Sequence, residues 1–131
     1  MKRPVWVLRE TVLPLHEQLL TAFGGASGIR DEGLLESALA RPENLVAYGK
    51  PGLSDLAASY AFGVSRNPPF ADGNTRVAFA VAVLFIELNG GRFTAPEAEA
   101  VIQTLGLAAG EISEADYAAW LKANAEKRRA G

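Results

Sequence analysis

Cysteine is absent from this 131-residue sequence, and histidine occurs once. Without cysteine the chain can form no disulfide bond, thiolate zinc site or cysteine nucleophile, which fits a reducing cytoplasm. Acidic and basic side chains nearly balance, at 15 against 13, so the sequence lacks the basic excess typical of nucleic-acid-binding domains. We therefore expect a cytoplasmic protein that does not bind nucleic acid directly.

Long hydrophobic segments are also missing. The N-terminus has a basic start but no apolar run of signal-peptide length before Arg9 and Glu10. The longest apolar stretch, residues 77–86, is about half of the roughly 20 residues that a membrane-spanning helix needs. We therefore expect neither secretion nor a membrane partner.

The residues that are present are typical of one globular domain. Hydrophobic residues make up 49% of the chain and charged residues 21%, and a chain of this length forms one ordinary domain. Apolar residues recur at helical spacing along most of it. We predict a single domain over residues 1–131, an all-α, compact bundle of about six helices around a buried central helix. The apolar, β-branched residues 5–8 predict a short N-terminal strand.

Proline and capping residues indicate the limits of the first two helices. The first helix should begin near Thr11, because Pro14 is tolerated only in a first turn. Asp31 should cap a second helix, which Pro42 closes. Residues 42–52 are then expected to be an irregular connection. Its apolar side chains should pack against the body of the domain: Leu45, Val46 and Tyr48.

The later helices have similar signals. A third helix is predicted over residues 54–66 and a fourth over residues 75–89; the fourth is apolar nearly all round, which places it at the centre. A buried strand is the alternative for this fourth segment, but its length and the following Gly90 favour a helix. A capping box at residues 94–97 should begin the fifth helix, and Ser113 the sixth.

The last two helices have predicted inward faces. For the fifth helix these are Ala98, Val101, Ile102 and Leu105, and for the sixth Tyr117, Trp120 and Leu121. The tail from Glu126 is expected to fray, and its basic cluster, Lys127-Arg128-Arg129, is interpreted as a solvated helix end.

The single histidine, His16, lies between Val12 and Leu19 on the apolar face of the first helix. It is either a partly buried packing residue or a displaced catalytic base. No carboxylate or nucleophile accompanies it in the sequence, so packing is the favoured interpretation.

The polar chemistry is concentrated in one turn, residues 67–76, which reads Asn-Pro-Pro-Phe-Ala-Asp-Gly-Asn-Thr-Arg and leads directly into the fourth helix. The first amides of a helix lack internal partners and attract anions. Arg76 can bind phosphate oxygens with two N–H groups, and Asp72 is a suitable ligand for Mg²⁺. The alternative is an ordinary Asp-Gly-Asn turn with a helix cap and a surface arginine.

This turn resembles the signature of the Fic/Doc family, which in the Doc branch reads His-Pro-Phe-x-Asp-Gly-Asn-Lys-Arg. Residues 28–39 also resemble a stretch common in Doc-like proteins, and the resemblance extends from about Val7 to Trp120. It implies the Fic/Doc helical fold, with ATP and Mg²⁺ as cofactors. The resemblance assigns the metal to Asp72 and the phosphates to Gly73, Asn74, Thr75 and Arg76.

The resemblance also implies an activity and partners. Doc-type toxins phosphorylate a threonine of elongation factor Tu and are held in check by a Phd-type antitoxin. Most Fic enzymes instead transfer AMP, and these usually carry a second arginine three positions after the first. That position is Phe79 here, which favours the phosphotransferase branch and leaves AMP transfer as the alternative.

Two positions depart from the Doc signature. Pro68 stands where the family has its catalytic histidine, and Thr75 where it has a lysine. Proline has no titratable group, and loss of a general base typically costs about 10² to 10⁴ in rate. We therefore expect Asp72 and Arg76 to remain in a site whose base is lost, so that the chain is catalytically disabled. A non-catalytic module that binds a nucleotide or an antitoxin is a further alternative.

Overall fold

The computed structural model describes residues 3–128, which form six α-helices and a two-stranded antiparallel sheet. The helices in chain order are α1 Arg9–Phe23, α2 Glu32–Tyr48, α3 Leu53–Arg66, α4 Asn74–Leu88, α5 Glu97–Ala109 and α6 Glu114–Ala123. The strands are β1 Gly91–Phe93 and β2 Ala125–Lys127. The predicted all-α bundle of about six helices is confirmed. In the described range no helix has the length and apolar character that crossing a membrane requires.

Two helices, α3 and α4, occupy the centre of the bundle. The apolar segment after the polar turn forms α4, and it buries Val77, Ala78, Val81, Ala82, Phe85 and Ile86. Helix α3 is buried along most of its length and packs closely on α2, because Gly63 leaves no Cβ between the two backbones. A Cβ at Gly63 would lie 2.9 Å from Cα of Ala38. The predicted buried central helix is therefore confirmed, and α3 shares its position.

The start of the first helix predicted from Pro14 and the end of the second predicted from Pro42 are both wrong. Helix α1 begins at Arg9, before the expected Thr11, and α2 continues through Pro42 to Tyr48. The ring of Pro42 is buried, so its packing offsets the hydrogen bond that its missing N–H cannot make. The three side chains expected to pack in the following connection lie on the exposed face of this longer helix instead. Their exposed fractions are 37% for Leu45, 42% for Val46 and 92% for Tyr48.

The expected N-terminal strand at residues 5–8 is absent from the described structure. Val5 instead exchanges two hydrogen bonds with the side chain of Asn89: its N–H donates to Oδ1 at 2.7 Å, and its carbonyl accepts from Nδ2 at 3.0 Å. The N–H of Val7 donates to the Tyr60 hydroxyl at 3.1 Å. Side chains thus satisfy the backbone groups that a strand would have paired with a neighbouring strand.

The sheet forms elsewhere, from two segments not predicted as strands. Its register places Arg92 opposite Glu126. The tail from Glu126 was expected to fray, but residues 126 and 127 belong to β2, and the N–H of Arg128 donates to the carbonyl of Gly90 at 2.9 Å. The interpretation of the basic cluster as a helix end is therefore wrong for Lys127 and Arg128. Residue 129 of that cluster lies outside the described residues.

Helix α5 turns a different face to the core from the one predicted. Ile102 is 67% exposed and Leu105 51%, and Ala98 is also exposed. The core-facing residues are mostly small, which allows α5 to approach its neighbours closely. They are Ala100, Thr104, Gly106 and Leu107. The expected capping box is absent, because the hydroxyl of Thr94 donates to the carbonyl of Asn124 at 2.8 Å.

Helix α6 follows its prediction. Ser113 is the N-cap and accepts a hydrogen bond from the N–H of Asp116 at 3.0 Å. Tyr117 and Leu121 are fully buried, and Trp120 is partly buried. The hydroxyls of Tyr117 and Thr104 lie 2.8 Å apart, which joins α6 to α5.

Tyr117 should make the stability of the fold sensitive to high pH. Burial raises the pKa of Tyr117 to about 12, above its ordinary value of 10, although the hydrogen bond with Thr104 opposes this shift. The unfolded chain therefore loses this proton at lower pH than the folded chain, so the free energy of unfolding should fall between pH 10 and pH 12. Urea unfolding at a series of pH values, with the wild-type chain and Tyr117→Phe, measures this slope.

The Tyr117→Phe variant should lose about 1 kcal/mol at neutral pH, since its hydrogen bond to Thr104 is removed. Thr104 keeps its bond to the carbonyl of Ala100 at 2.8 Å. Above pH 10 the variant should lose stability less steeply than the wild-type chain. If the free energy of unfolding falls equally steeply with pH in the two proteins, the assignment of this pH dependence to Tyr117 is contradicted.

Candidate functional site

An open cavity of about 590 Å³ lies at the N-terminal end of α4, beside the end of α1. Every residue predicted for the site lines it: Pro68, Asp72, Gly73, Asn74, Thr75 and Arg76. The other lining residues come mainly from the end of α1 and the glycines that follow: Leu19, Leu20, Phe23, Gly24, Gly25, Ser65 and Ala71. The fold therefore brings the predicted residues together around one space.

The loop between α1 and α2 holds the polar turn in place through backbone hydrogen bonds. The N–H groups of Arg30 and Asp31 both donate to the carbonyl of Pro69, at 2.7 and 3.0 Å. The N–H of Ala71 donates to the carbonyl of Gly28 at 3.0 Å. These bonds satisfy the backbone of a turn that would otherwise depend on water, and they limit its movement.

Arg30 also binds Pro68, which was expected to stand in place of a catalytic histidine. Its guanidinium donates two hydrogen bonds to the carbonyl of Pro68, the one from Nε at 3.2 Å. Asp31, the next residue, was expected to cap the second helix. This prediction is confirmed, because Oδ1 of Asp31 accepts a hydrogen bond from the N–H of Leu34 at 3.0 Å. The contact between Arg30 and Pro68 was not predicted, since 38 residues separate the two in sequence.

The first turn of α4 presents unused amide groups to the cavity wall. Gly73 adopts the left-handed conformation, with φ of 76°, which side chains other than glycine's rarely adopt. Both polar atoms of the Asn74 side chain bind the backbone of Phe70: Oδ1 accepts from its N–H at 3.0 Å, and Nδ2 donates to its carbonyl at 3.1 Å. Among the described residues, no acceptor is found for the N–H groups of Asn74, Thr75 and Arg76. Three adjacent donors at a helix N-terminus are suited to an anion.

Asp72 is exposed, and its carboxylate is held from two sides. Oδ1 accepts from the N–H of Gly73 at 2.8 Å, and Oδ2 accepts from the N–H of Ala26 at 3.3 Å. Within residues 3–128 no group of three or more carboxylate or imidazole side chains is placed to share a metal ion. A single oriented carboxylate fits Mg²⁺, which binds through one or two carboxylates and completes its shell with water and phosphate oxygens.

Arg76 lies along the cavity wall with two partners that the sequence did not reveal. Its guanidinium carbon stands 3.6 Å from the centre of the Phe23 ring, and Nη1 is 3.6 Å from Oε1 of Glu97. The side chain remains 38% exposed, and an ion pair this exposed contributes about 0–1 kcal/mol. Phe23 therefore orients the guanidinium, while the weak pair with Glu97 leaves it able to bind a phosphate.

His16 is a packing residue, as the favoured interpretation held. Its side chain is 2% exposed, and its ring stacks on that of Phe70 with 3.9 Å between the ring centres. Nε2 lies 2.8 Å from the carbonyl oxygen of Asp72 and must carry the proton, because a carbonyl only accepts. His16 is not among the residues that line the cavity. It supports the turn from beneath.

Comparison with known proteins finds relatives of this chain. A model of the Fic/DOC family matches residues 6–86. The chain is 34% identical over 115 residues to the protein kinase doc of Escherichia phage P1, covering 86% of this chain and 90% of that protein. It is 43% identical over 87 residues to the toxin Doc of Mycolicibacterium smegmatis, covering 61% of this chain and 66% of that protein.

The close contact of Gly25 with Asp72 can be tested with a matched pair of glycines. Gly25 and Gly28 both have positive φ, at 123° and 105°. A Cβ at Gly25 would lie 2.9 Å from Oδ2 of Asp72, whereas one at Gly28 would have no atom within 4 Å. Both alanine variants should therefore lose about 1 kcal/mol through backbone strain.

Gly25→Ala should lose roughly 1 kcal/mol more than Gly28→Ala, because its methyl group crowds Cδ2 of Leu20 and displaces the Asp72 carboxylate from the N–H of Ala26. Urea unfolding of both variants measures the difference, and the amide resonance of Ala26 reports the lost hydrogen bond. Equal losses, with an unchanged Ala26 resonance, would mean that this contact does not hold Asp72.

Proposed function

The chain belongs to the Fic/Doc family, and we propose that it is a Doc-like toxin with an intact phosphate-binding turn and no catalytic base. The observation that carries this proposal is the cavity at the start of α4. Its wall combines three free helix amides with the guanidinium of Arg76 and the carboxylate of Asp72. These groups suit the phosphates of ATP together with Mg²⁺.

The active parent of this site would transfer the γ-phosphoryl group of ATP to a threonine of elongation factor Tu. The threonine oxygen bonds to the γ-phosphorus, the bond from that phosphorus to the bridging oxygen breaks, and ADP leaves. A base at position 68 would take the hydroxyl proton. Mg²⁺ would neutralise phosphate charge beside Asp72, while Arg76 and the α4 amides orient the phosphates.

Pro68 supports the proposal of lost turnover. Its ring offers no atom that can accept the threonine proton, and its carbonyl already accepts two hydrogen bonds from Arg30. His16 does not replace this base, because its ring is buried against Phe70 and does not line the cavity. Thr75 keeps its backbone amide at the cavity but supplies no charge.

Transfer of phosphate is favoured over transfer of AMP. The position at which AMP-transferring relatives usually have a second arginine is Phe79, and its ring packs against that of Phe93 with 5.6 Å between their centres. The side chain is partly buried and offers no charge for a nucleotide. One relative is named a protein kinase, which also favours phosphate transfer.

A Phd-type antitoxin is the proposed physiological partner, since both relatives bear the name Doc and one is named a toxin. Without turnover, the chain would still act by binding a nucleotide in the cavity or by binding an antitoxin. This non-catalytic module is compatible with the same geometry, because binding requires the amides and Arg76 but no base.

Restoring the histidine and the lysine of the Doc signature at positions 68 and 75 tests the proposal. The double variant Pro68→His/Thr75→Lys should transfer labelled phosphate from ATP to purified elongation factor Tu at least about 10²-fold faster than the unaltered chain. Its expression should also arrest growth. A triple variant that adds Asp72→Ala is the control and should lose this gain, because the proposed metal ligand is removed.

The mass of the modified elongation factor distinguishes the two reactions. An added phosphate supports the kinase-type transfer, and an added AMP would replace it with the alternative. If the double variant neither modifies the factor nor arrests growth while it remains folded, the toxin proposal is wrong.

A further inference from the structure

A second, larger groove lies at the opposite end of α4, where residues 3–5 and Arg128 meet the end of α2. Its volume is about 760 Å³, and it is lined mainly by apolar side chains. Four of these are large hydrophobic residues that the fold leaves exposed: Val5 at 51%, Val46 at 42%, Leu53 at 41% and Leu88 at 42%. Exposed apolar residues gathered in one groove are typical of a binding surface.

Hydrogen bonds hold the walls of this groove. The side chain of Asn89 binds the backbone of Val5 in both directions, which attaches the N-terminal segment to the end of α4. The N–H of Arg128 donates to the carbonyl of Gly90 at 2.9 Å, which attaches the end of β2 at the same place. The groove is therefore formed before any partner binds, and binding there needs little ordering of the chain.

The charge of the groove has one sign. Three basic side chains line it, Arg3, Lys50 and Arg128, and no acidic side chain does. All three are exposed, and none belongs to an ion pair within residues 3–128. An adjoining hollow that shares Leu53 and Gly90 adds Lys122 and Lys127 against a single acid, Glu126. An acidic occupant would meet complementary charge on this surface.

The lining also indicates the chemical class of the occupant. A single-stranded nucleic acid would require aromatic side chains for its bases, and none of the lining residues is aromatic. Aliphatic side chains between basic ones suit a peptide that alternates apolar and acidic residues. We propose that this groove, which we call the basic-apolar groove, binds an acidic amphipathic peptide segment of a partner protein.

The basic-apolar groove is independent of the phosphate site. Helix α4 runs from Asn74 to Leu88, so the two sites lie about 20 Å apart at 1.5 Å per residue. The proposal therefore does not rest on nucleotide binding or on toxin activity. It also gives a role to Arg128, which belongs to the basic cluster that the phosphate site leaves unused.

A displayed library of random peptides of about 12 residues, selected on the immobilised full-length chain, tests both the site and the class of its ligand. The enriched peptides should carry more Asp and Glu than Lys and Arg, together with Leu, Ile or Phe. A synthetic copy of the most enriched peptide should bind about tenfold more weakly to Lys50→Glu and to Leu53→Ser than to the unaltered chain.

Two matched substitutions elsewhere serve as controls. Ile102→Ser removes an apolar side chain that is 67% exposed on α5, and Arg92→Glu reverses a charge that is 68% exposed on β1. Neither residue lines the groove, so both variants should bind the peptide as the unaltered chain does. Circular dichroism of each variant checks that it remains folded.

Three results would overturn the proposal. These are a selection that enriches no peptide, a selection whose peptides are neutral or basic, and a peptide whose affinity is equal in the groove variants and the controls. Loss of peptide binding in the groove variants alone, with peptides that are acidic and apolar, supports it.

Discussion

The side chain of Asn74 closes the turn ahead of α4 by bonding to both the N–H and the carbonyl of Phe70. This pair of hydrogen bonds forces the three residues between Phe70 and Asn74 into a tight loop, in which Gly73 takes the left-handed conformation. Phe70 is thereby directed into the core against His16, while Asp72 is left at the surface. Because the turn ends where α4 begins, the same bonds also set the direction of the unused amides. The proposed phosphate site is thus a consequence of how the central helix starts.

Much of this site could be predicted from the sequence because its parts are neighbours in the chain. Asp72, Gly73 and Arg76 lie within one turn, and local chemistry determines what such a turn can bind. Their partners could not be predicted, since Phe23, Arg30 and their contacts depend on how α1 and the following loop pack on α4. The close approach of Gly25 to the Asp72 carboxylate depends on the same packing and appears only in three dimensions.

The same division between local and long-range information explains the outcomes for the fold. Ser113 and Asp31 were identified as caps correctly, because a cap bonds to an amide three residues away. The prediction that Pro42 ends α2 was wrong, because its ring is buried within the helix and burial depends on the rest of the fold. The face of α5 was also misjudged, since large apolar residues such as Ile102 predict an inward face. The structure instead uses small residues there, which leaves Ile102 exposed.

Helix α4 separates two surfaces of different chemistry. Its N-terminal end presents amides and Arg76 to a polar cavity, and its C-terminal end contributes Leu88 to the basic-apolar groove. In the proposed function, Pro68 affects only the first of these surfaces, because it would remove a base from the cavity without changing the amides, Asp72 or the distant groove. Loss of turnover and retention of binding are therefore compatible in this chain.

The central claim is that the unaltered chain still binds a magnesium nucleotide at the start of α4, and a titration followed by amide resonances tests it most directly. Addition of ATP and Mg²⁺ should shift the amide resonances of Asn74, Thr75 and Arg76, and Arg76→Ala should weaken this binding about tenfold. ATP should remain unhydrolysed throughout. Amide resonances in this turn that do not move at saturating nucleotide, or that titrate with the same affinity in Arg76→Ala, would contradict the account.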